Sequence, residues 1–278
     1  MKIIFFGTPE YVVSILSKLS KSHEVLGVVT QPPKPVGRDQ FKKFSPVDDW
    51  AHKRNVPIFF DFDKLPEADM GVCAAYGKII PKSVIANFKL GILNIHPSLL
   101  PKYRGASPIS EAIKNGDAET GVSIIKMDEK MDHGPIVTQF KEDILPEDTT
   151  EILRERLFDR AGDALIQLIP AYVSGKVRPK AQNEDEATFT KILTREDGLI
   201  SLKEKSPEEI ERFLKAMNPW PGVWTQVKLS EKEGPKRLKI LEAHLEEGKL
   251  ILDKVQLEGK NEVLEKQFKV GYPNFTFL

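Results

Sequence analysis

The sequence predicts an α/β protein in which a doubly wound, mostly parallel sheet is followed by a small C-terminal β-barrel. Short apolar runs alternate with helical patterns as far as Val173, which favours parallel strands joined by helices. A polar stretch without periodicity follows, and after it several short segments of alternating polarity are typical of a small barrel. We therefore expect an α/β domain at 1–175, a linker at 176–194 and a barrel domain at 195–278.

The chain opens with an apolar run over residues 2–6, which predicts a buried strand. The turn at 7–10 leads into a helix, with Thr8 as its N-cap and Pro9 in its first turn. The glycines here do not form the dinucleotide fingerprint, and the Gly-Lys-Ser/Thr of a phosphate loop is missing. No nucleotide cofactor is therefore indicated.

Strands and helices continue to alternate along the chain. Further strands of the first domain are predicted at 24–30, 57–60, 71–77, 91–96, 121–127 and 136–140. Its helices are predicted up to about residue 20 and at 47–54, 107–115 and 151–173. In the C-terminal part we predict a helix at 207–217, a rigid turn at 218–222 and alternating segments around 223–229, 237–244, 249–255 and 263–270.

Residues 31–46 form a long loop that is rich in proline and basic side chains. Loops of this length in compact domains are usually functional or disordered. One interpretation is a solvated surface loop. The other is a basic finger that contacts phosphate groups, with Phe41 and Phe44 as stacking groups. The finger would use Arg38, Lys42 and Lys43, so these residues are predicted to bind a nucleic acid.

Three polar side chains suggest an acyl-transfer site. Asn94 and His96 are two residues apart in an apolar run, so a strand would place both on one face. Asp132 follows in a loop bounded by glycine and proline. The amide could stabilise an oxyanion, the imidazole could move a proton, and the carboxylate could orient the imidazole. Each residue alone is more often a local hydrogen-bonding group, so the hypothesis depends on the combination.

Two predicted strands end at residues that could form one site. In open parallel sheets, ligands bind beyond the carboxyl ends of the strands. The Tyr76-Gly77 turn and the Asn94/His96 pair both lie at such ends. Tyr76 and Ile80 could line a pocket for a flat heteroaromatic ligand, although core packing is the simpler role for Ile80.

Composition limits the remaining possibilities. Basic and acidic residues both number 41, so no overall charge attracts polyanions and a nucleic acid would need a local basic surface. The single cysteine, Cys73, cannot form an internal disulfide and fits a cytoplasmic protein. The five histidines are scattered, so we predict no metal site. No window approaches the roughly 20 apolar residues of a membrane span, and the N-terminal apolar run is too short for a signal peptide.

A series of short motifs runs through most of the chain in a fixed order. They are Phe6-Gly7-Thr8-Pro9-Glu10, Gln31-Pro32, Pro35-Val36-Gly37-Arg38, Ser45-Pro46-Val47, Ala75-Tyr76-Gly77-Lys78-Ile79-Ile80-Pro81, Asn94-Ile95-His96-Pro97-Ser98-Leu99-Leu100-Pro101, Arg104-Gly105, Gly116-Asp117, Glu119-Thr120-Gly121-Val122, Met127-Asp128, Asp132, Gly134-Pro135 and Asn218-Pro219-Trp220-Pro221-Gly222. In this order they resemble the 10-formyltetrahydrofolate-dependent formyltransferases. The block that begins at Asn94 is specific for formyl-folate transfer but does not choose the acceptor.

The resemblance implies a formyltransferase domain followed by an OB-like barrel. It implies catalytic roles for Asn94, His96 and Asp132, and folate binding by the segment Ser98, Leu99, Leu100 and Pro101. The co-substrate would be 10-formyltetrahydrofolate, held near Tyr76, Gly77 and Ile80. The basic loop and the turn at 218–222 favour methionyl initiator tRNA as acceptor, with the Arg38 loop reading its acceptor end. We expect a monomer.

The chain departs from the family pattern in three places. His133 follows Asp132 where the family commonly has a small hydroxylic residue, and Lys130 adds further charge to this loop. The segment 60–69 is too short for the helix usual there. The barrel is also shortened between Trp224 and Gln256, where too few residues remain for every expected strand, and a weaker affinity of this domain for tRNA would follow.

Two alternatives to the tRNA hypothesis stay open. The acceptor could be the amine of a sugar nucleotide or another small amine. The protein could also be an RNA-binding protein with an inactive transferase domain, but this would require a broken site, and the trio is intact.

Overall fold

The computed structural model describes residues 1–36, 41–231 and 233–278 of the chain. They form two compact units, each assembled from separate stretches of sequence. The first unit comprises Met1–Gly105, Glu119–Asp143 and Arg154–Phe189. The second comprises Ala106–Ala118, Ile144–Leu153 and Thr190–Leu278. The domain boundaries drawn from the sequence, 1–175, 176–194 and 195–278, stay a prediction.

The first unit is built on a seven-stranded sheet in the order β10-β9-β7-β6-β1-β2-β5. Its strands are β1 (Lys2–Gly7), β2 (Glu24–Val29), β5 (Ile58–Phe59), β6 (Met70–Ala74), β7 (Ile92–His96), β9 (Glu119–Lys126) and β10 (Ile136–Asp143). The five strands from β7 to β5 are parallel, and β9 and β10 are antiparallel additions at one edge. The predicted fold class, a mostly parallel α/β sheet, is confirmed.

Helices and apolar side chains cover the sheet of the first unit. Its helices are α1 (Val13–Ser22), α2 (Pro46–His52), α3 (Lys82–Ile85) and most of α5 (Thr150–Val173). Ile4, Phe6 and Ile92 of the strands are fully buried in one apolar cluster with Tyr76 and Phe88. Continuous apolar runs in the parallel strands are what burial on both faces requires.

The N-cap predicted at Thr8 is wrong. The chain enters α1 through a 3-10 turn at Glu10–Val12, whose N-cap is Pro9. The Thr8 hydroxyl instead donates to the carbonyl oxygen of Tyr76, at 3.0 Å. This long-range bond links the turn after β1 to the turn after β6, which a local capping rule cannot foresee.

The basic loop contains a short antiparallel hairpin where the sequence predicted only a loop. Its strands are β3 (Lys34–Val36) and β4 (Phe41–Lys43), which pair Lys34 with Lys43. Within the described residues, 60–69 holds no helix, in line with the prediction that this segment is too short for one. Two further short strands are β8 (Arg104–Gly105) and β11 (Phe189–Thr190).

The second unit contains a five-stranded antiparallel sheet in the order β15-β14-β13-β12-β16. The strands are β12 (Val223–Lys228), β13 (Lys236–Glu246), β14 (Lys249–Leu257), β15 (Glu262–Leu264) and β16 (Thr276–Phe277), and the helices are α4 (Pro108–Asn115), α6 (Pro207–Met217) and α7 (Glu265–Gly271). Val227, Leu238 and Val255 form the core of this unit with Phe268. The sheet is consistent with the predicted small barrel.

The strand predicted at 263–270 is wrong over most of its length. Only Glu262–Leu264 is a strand, and Glu265–Gly271 is helix α7. The Gln267 side chain accepts a hydrogen bond from the backbone N–H of Leu264, at 3.1 Å, which caps the helix. Phe268 is buried in the core of the unit, so tertiary packing overrides the alternating pattern.

Candidate active site

Asn94 is the central residue of β7 and His96 is its last, and this strand lies between β6 and β9 in the sheet. The Asn94 side-chain amide donates to Oδ1 of Asp132, at 3.2 Å. His96 Nδ1 lies 3.5 Å from Oδ2 of the same carboxylate. Both strand residues therefore face one carboxylate at the carboxyl end of the sheet, as the period of a strand predicts.

The hydrogen bonds of His96 constrain its protonation state. The imidazole is buried, and its Nε2 lies 2.9 Å from the carbonyl oxygen of Tyr103. A carbonyl oxygen can only accept, so Nε2 carries a hydrogen. Nδ1 lies on the side of the Asp132 carboxylate, so a carbonyl oxygen and a carboxylate oxygen hold the ring from its two nitrogens.

Asp132 lies in the loop between β9 and β10, and its backbone adopts a left-handed conformation with φ of 49°. Its Oδ2 accepts a hydrogen bond from the backbone N–H of Gly105, at 2.8 Å. The side chain is 13% exposed, so solvent can reach it only at one edge. One N–H of the Asn94 amide remains for another acceptor, because an amide nitrogen carries two hydrogens and Asp132 takes one.

The sequence predicted no site role for Gln182, Glu184 or the Arg104 side chain, which surround this loop, although Arg104-Gly105 is one of the family motifs. Gln182 Nε2 donates to the carbonyl oxygens of Asp132 and Gly134, at 2.8 Å each. Arg104 is buried and donates to Gln182 Oε1 and to both carboxylate oxygens of Glu184. This guanidinium lowers the pKa of Glu184. Gln182 and Glu184 lie in a polar stretch without periodicity, so no sequence signal could have identified them.

The Ser98–Pro101 segment, predicted to bind folate, forms a turn directly after β7. The Ser98 side chain is buried and donates to the carbonyl oxygen of Lys102, at 2.6 Å. Leu100 is also buried, and its N–H donates to the hydroxyl of Ser123 in β9. Leu99 and Pro101 are half-buried and keep side-chain surface for a ligand. Folate binding by this segment stays a prediction.

Tyr76, Gly77 and Ile80 follow β6, next to β7 in the sheet. The Tyr76 ring is buried and packs edge-on against Phe6 and Phe62. Its hydroxyl has no hydrogen-bond partner among the described residues, and burial raises its pKa. Gly77 has φ of 81°, and Ile80 is buried while neighbouring Ile79 is exposed. That these three residues line the pocket for the folate stays a prediction.

Arg38 lies outside the described residues. Lys42 and Lys43, the other residues predicted to bind tRNA, are exposed on the short hairpin, as is Lys34. Lys34 and Lys43 are directly opposed across the two strands. Two like charges in this arrangement repel each other unless an anion lies nearby.

Other chemistry-bearing groups lie apart from the trio. Cys73 is buried beside Asn94 in the sheet, and burial raises the pKa of its thiol to about 12. The described residues contain no cluster of three or more His, Cys, Asp or Glu side chains suited to a metal ion. None of the described helices combines the length and apolar character needed to cross a membrane.

The second unit carries a cleft of about 640 Å³ on the β12–β14 part of its sheet. Its walls include Trp224, Lys236, Arg237 and Lys239. The Arg237 guanidinium stacks over the Trp224 ring, 3.7 Å from its centroid, and donates to Glu196. Flat cationic and aromatic surfaces of this kind can accommodate bases and phosphates.

Comparison with known proteins agrees with the geometry. The family model described as "Formyl transferase" matches residues 1–169, and "Formyl transferase, C-terminal domain" matches residues 192–250. A methionyl-tRNA formyltransferase of Roseiflexus sp. (strain RS-1) is 42% identical, over 81% of this chain and 73% of the relative.

Two solved structures share the fold. Methionyl-tRNA formyltransferase from Clostridium thermocellum has a TM-score of 0.64 and 22% identity, covering 92% of this chain and 98% of that one. WlaRD, a sugar 3N-formyl transferase with dTDP and 5-N-formyl-THF, has a TM-score of 0.64 and 20% identity, covering 94% and 99%. The fold is therefore common to enzymes named for different acceptors. With its two matched domains and a relative at 42% identity, the chain belongs to the formyl transferase family.

Proposed function

We propose that this protein transfers the formyl group of 10-formyltetrahydrofolate to the α-amino group of methionyl initiator tRNA, giving formylmethionyl-tRNA for translation initiation. The observation that carries the proposal is the joint placement of Asn94 and His96 around the Asp132 carboxylate at the carboxyl edge of the sheet. The acceptor is supported by the 42% identity, over 81% of this chain, to a relative named methionyl-tRNA formyltransferase.

The proposed reaction needs one new bond and two proton movements. The methionyl nitrogen attacks the formyl carbon, and the bond from that carbon to N10 of the folate then breaks. One proton leaves the amine and one reaches N10. The free N–H of Asn94 and the imidazole of His96 can stabilise the oxyanion that develops between these steps. Asp132 orients the imidazole through its Nδ1 atom.

His96 must exchange a partner to take part in this chemistry. Its Nε2 hydrogen is held by the Tyr103 carbonyl, and its Nδ1 faces Asp132. A substrate atom that replaces the Tyr103 carbonyl would meet the Nε2 hydrogen directly. Catalytic hydrogen bonds often realign and shorten when the substrate binds.

The acceptor half of the proposal is supported by the charge of the hairpin. Lys34 and Lys43 face each other across its strands, and Lys42 is exposed beside them. A phosphate backbone would relieve the repulsion between these side chains. A tRNA acceptor also places the reaction in the cytoplasm, the compartment that the single buried Cys73 favours. A monomer stays our prediction and can be tested by sedimentation.

Acceptor identity is tested by direct transfer. The purified protein is incubated with 10-formyltetrahydrofolate labelled in the formyl group and with charged initiator tRNA or candidate sugar-nucleotide amines. We expect label only on the methionyl-tRNA. Label on a sugar amine, with none on tRNA, would favour the small-amine alternative. Label that stays entirely on the folate with every acceptor would favour an inactive RNA-binding protein.

A paired set of lysine variants tests the tRNA contact. Replacing Lys42 and Lys43 by alanine should raise KM for tRNA and weaken its salt dependence, because two phosphate contacts are lost. The control replaces Lys21 and Lys53, two exposed lysines of the same unit, and changes the net charge equally. Equal KM values for the two double variants would remove the hairpin from the acceptor site.

A further inference from the structure

We propose that Gln182 and Arg104 are positioning residues, which hold Asp132 against His96 through a closed ring of hydrogen bonds. The inference rests on the proposed function, in which Asp132 orients the catalytic imidazole. It assigns a role to a stretch of chain that the sequence marks only as a linker. The ring runs from the Asp132 carboxylate through Gly105 and Arg104 to Gln182, and back to the Asp132 carbonyl.

Gln182 is the part of the ring that touches the loop. Its amide nitrogen donates to the carbonyl oxygens of Asp132 and Gly134, at 2.8 Å each. Its amide oxygen accepts from Arg104, from Nε at 3.1 Å and from Nη2 at 2.8 Å. Both hydrogens and both acceptor sites of the amide are thereby used, so neither glutamate nor a shorter amide could reproduce the set.

Arg104 connects this clamp to both catalytic groups through its chain neighbours. The preceding carbonyl, on Tyr103, accepts from His96 Nε2, and the following N–H, on Gly105, donates to Asp132 Oδ2. The side chain is 2% exposed and forms a bidentate pair with Glu184, at 2.7 and 2.9 Å. Burial with paired charge fixes the guanidinium, and with it the Gly105 N–H that holds the Asp132 carboxylate.

The segment that carries Gln182 is itself anchored at both ends. Lys180 exchanges two backbone hydrogen bonds with Ile136, the first residue of β10, at 2.8 Å each. Thr188 accepts from the backbone N–H of Arg104 and donates to the carbonyl oxygen of Pro101. The segment therefore spans from the Asp132 loop to the turn after β7, and Gln182 lies directly against the loop.

The conformation of Asp132 explains why a clamp is needed. A φ of 49° lies in the left-handed region, which few residues other than glycine, Asn and Asp adopt, and Asp132 is the residue whose carboxylate must point at His96. Two hydrogen bonds to the loop carbonyls on either side of His133 hold the backbone in this conformation. Strain of this kind persists only where the surroundings over-determine it.

The decisive variant is Gln182→Glu, which keeps the shape but replaces both donors by an oxygen facing two carbonyls. Asn183→Asp is the matched control, because it adds the same charge one residue away. Within the described part of the chain, the Asn183 side chain is hydrogen-bonded to Glu186 and to the Asp185 N–H, and not to the Asp132 loop. We expect Gln182→Glu to lower kcat for formyl transfer by about 10- to 100-fold with little change in KM, and Asn183→Asp to stay within about twofold.

Two readouts separate positioning from a structural role. The difference in kcat between Gln182→Glu and wild type should become smaller at acidic pH, because the protonated carboxyl of the new glutamate can donate one hydrogen bond again. The imidazole nitrogen shifts of His96, followed by NMR, should move in Gln182→Glu towards those of Asp132→Asn. Thermal unfolding of each variant shows whether the fold persists. Arg104→Lys is a second variant that changes the same ring of hydrogen bonds.

Each outcome decides the inference. Equal kcat and equal His96 shifts for Gln182→Glu and Asn183→Asp would overturn it, as would a His96 spectrum unchanged by Gln182→Glu in a folded protein. The NMR readout needs no turnover. If wild-type protein formylates no acceptor, the proposed function fails while the clamp is still decided by the His96 shifts.

Discussion

The strand that carries Asn94 and His96 and the loop that carries Asp132 reach one site by different physical means. β7 is hydrogen-bonded on both sides, by β6 and by β9, and its side chains alternate between the two faces of the sheet. The loop between β9 and β10 has no ladder. It is held by the Gln182 amide, by Gly105 and by the tight approach of Gly134 to β9. A strand supplies position through backbone regularity, and a loop needs specific side chains to do the same.

The largest effect is expected from the loop residue that both strand residues contact. Asp132→Asn keeps the size but removes the charge opposite His96, and we expect kcat to fall by roughly 10³-fold, about 4 kcal/mol of transition-state stabilisation. Asp128→Asn is the control, because Asp128 lies in the same loop and pairs with His133 and the Lys130 N–H. Steady-state kinetics measure both. A similar loss in the two variants would mean that loop integrity, not the Asp132 charge, sets the rate.

A smaller loss is expected from the strand. Asn94→Ala removes a donor to the developing oxyanion and one hydrogen bond to Asp132, while the β7 ladder stays intact. We expect kcat to fall by about 10²-fold with KM for folate little changed. Asn87→Ala, at an exposed position after α3, serves as the control. An unchanged kcat in Asn94→Ala would remove the amide from the chemistry.

The same contrast explains what could be read from the sequence. Period-two spacing correctly placed Asn94 and His96 on one face, and continuous apolar runs correctly indicated the parallel sheet, because both depend on local geometry. Three features depend on partners far along the chain: the Thr8–Tyr76 bond that replaces the predicted cap, the helix at Glu265–Gly271 and the contacts of Gln182. Gln182 lies 50 positions from Asp132, in a stretch whose polarity suggested only a linker.

A third change tests the packing that holds the loop. A Cβ added at Gly134 would lie 1.9 Å from the carbonyl oxygen of Lys126 in β9, so Gly134→Ala must displace backbone. We expect a loss of about 1 to 3 kcal/mol in unfolding free energy. Because the carbonyl that Gln182 binds would shift too, kcat should fall by about tenfold.

Gly234→Ala is the control for this change, since its Cβ would meet no atom within 4 Å. Chemical denaturation and steady-state kinetics compare the pair. A Gly134→Ala protein as stable and as active as Gly234→Ala would show that the loop tolerates movement, and the distinction between strand and loop would lose its basis.

The smallest effect is expected where the loop meets solvent. His133 Nδ1 lies 2.6 Å from Asp128 and its Nε2 lies 3.5 Å from Glu184, but all three side chains are about a third or more exposed. Exposed ion pairs contribute about 0 to 1 kcal/mol, whereas the bonds of Gln182 are made to the backbone of the loop itself. His133→Ser should therefore change kcat by less than about threefold and unfolding free energy by less than about 1 kcal/mol. Measuring kcat of His133→Ser and of Gln182→Glu in the same buffer shows which contact holds Asp132. A loss in His133→Ser as large as that in Gln182→Glu would transfer the positioning role from the Gln182 amide to the His133 imidazole.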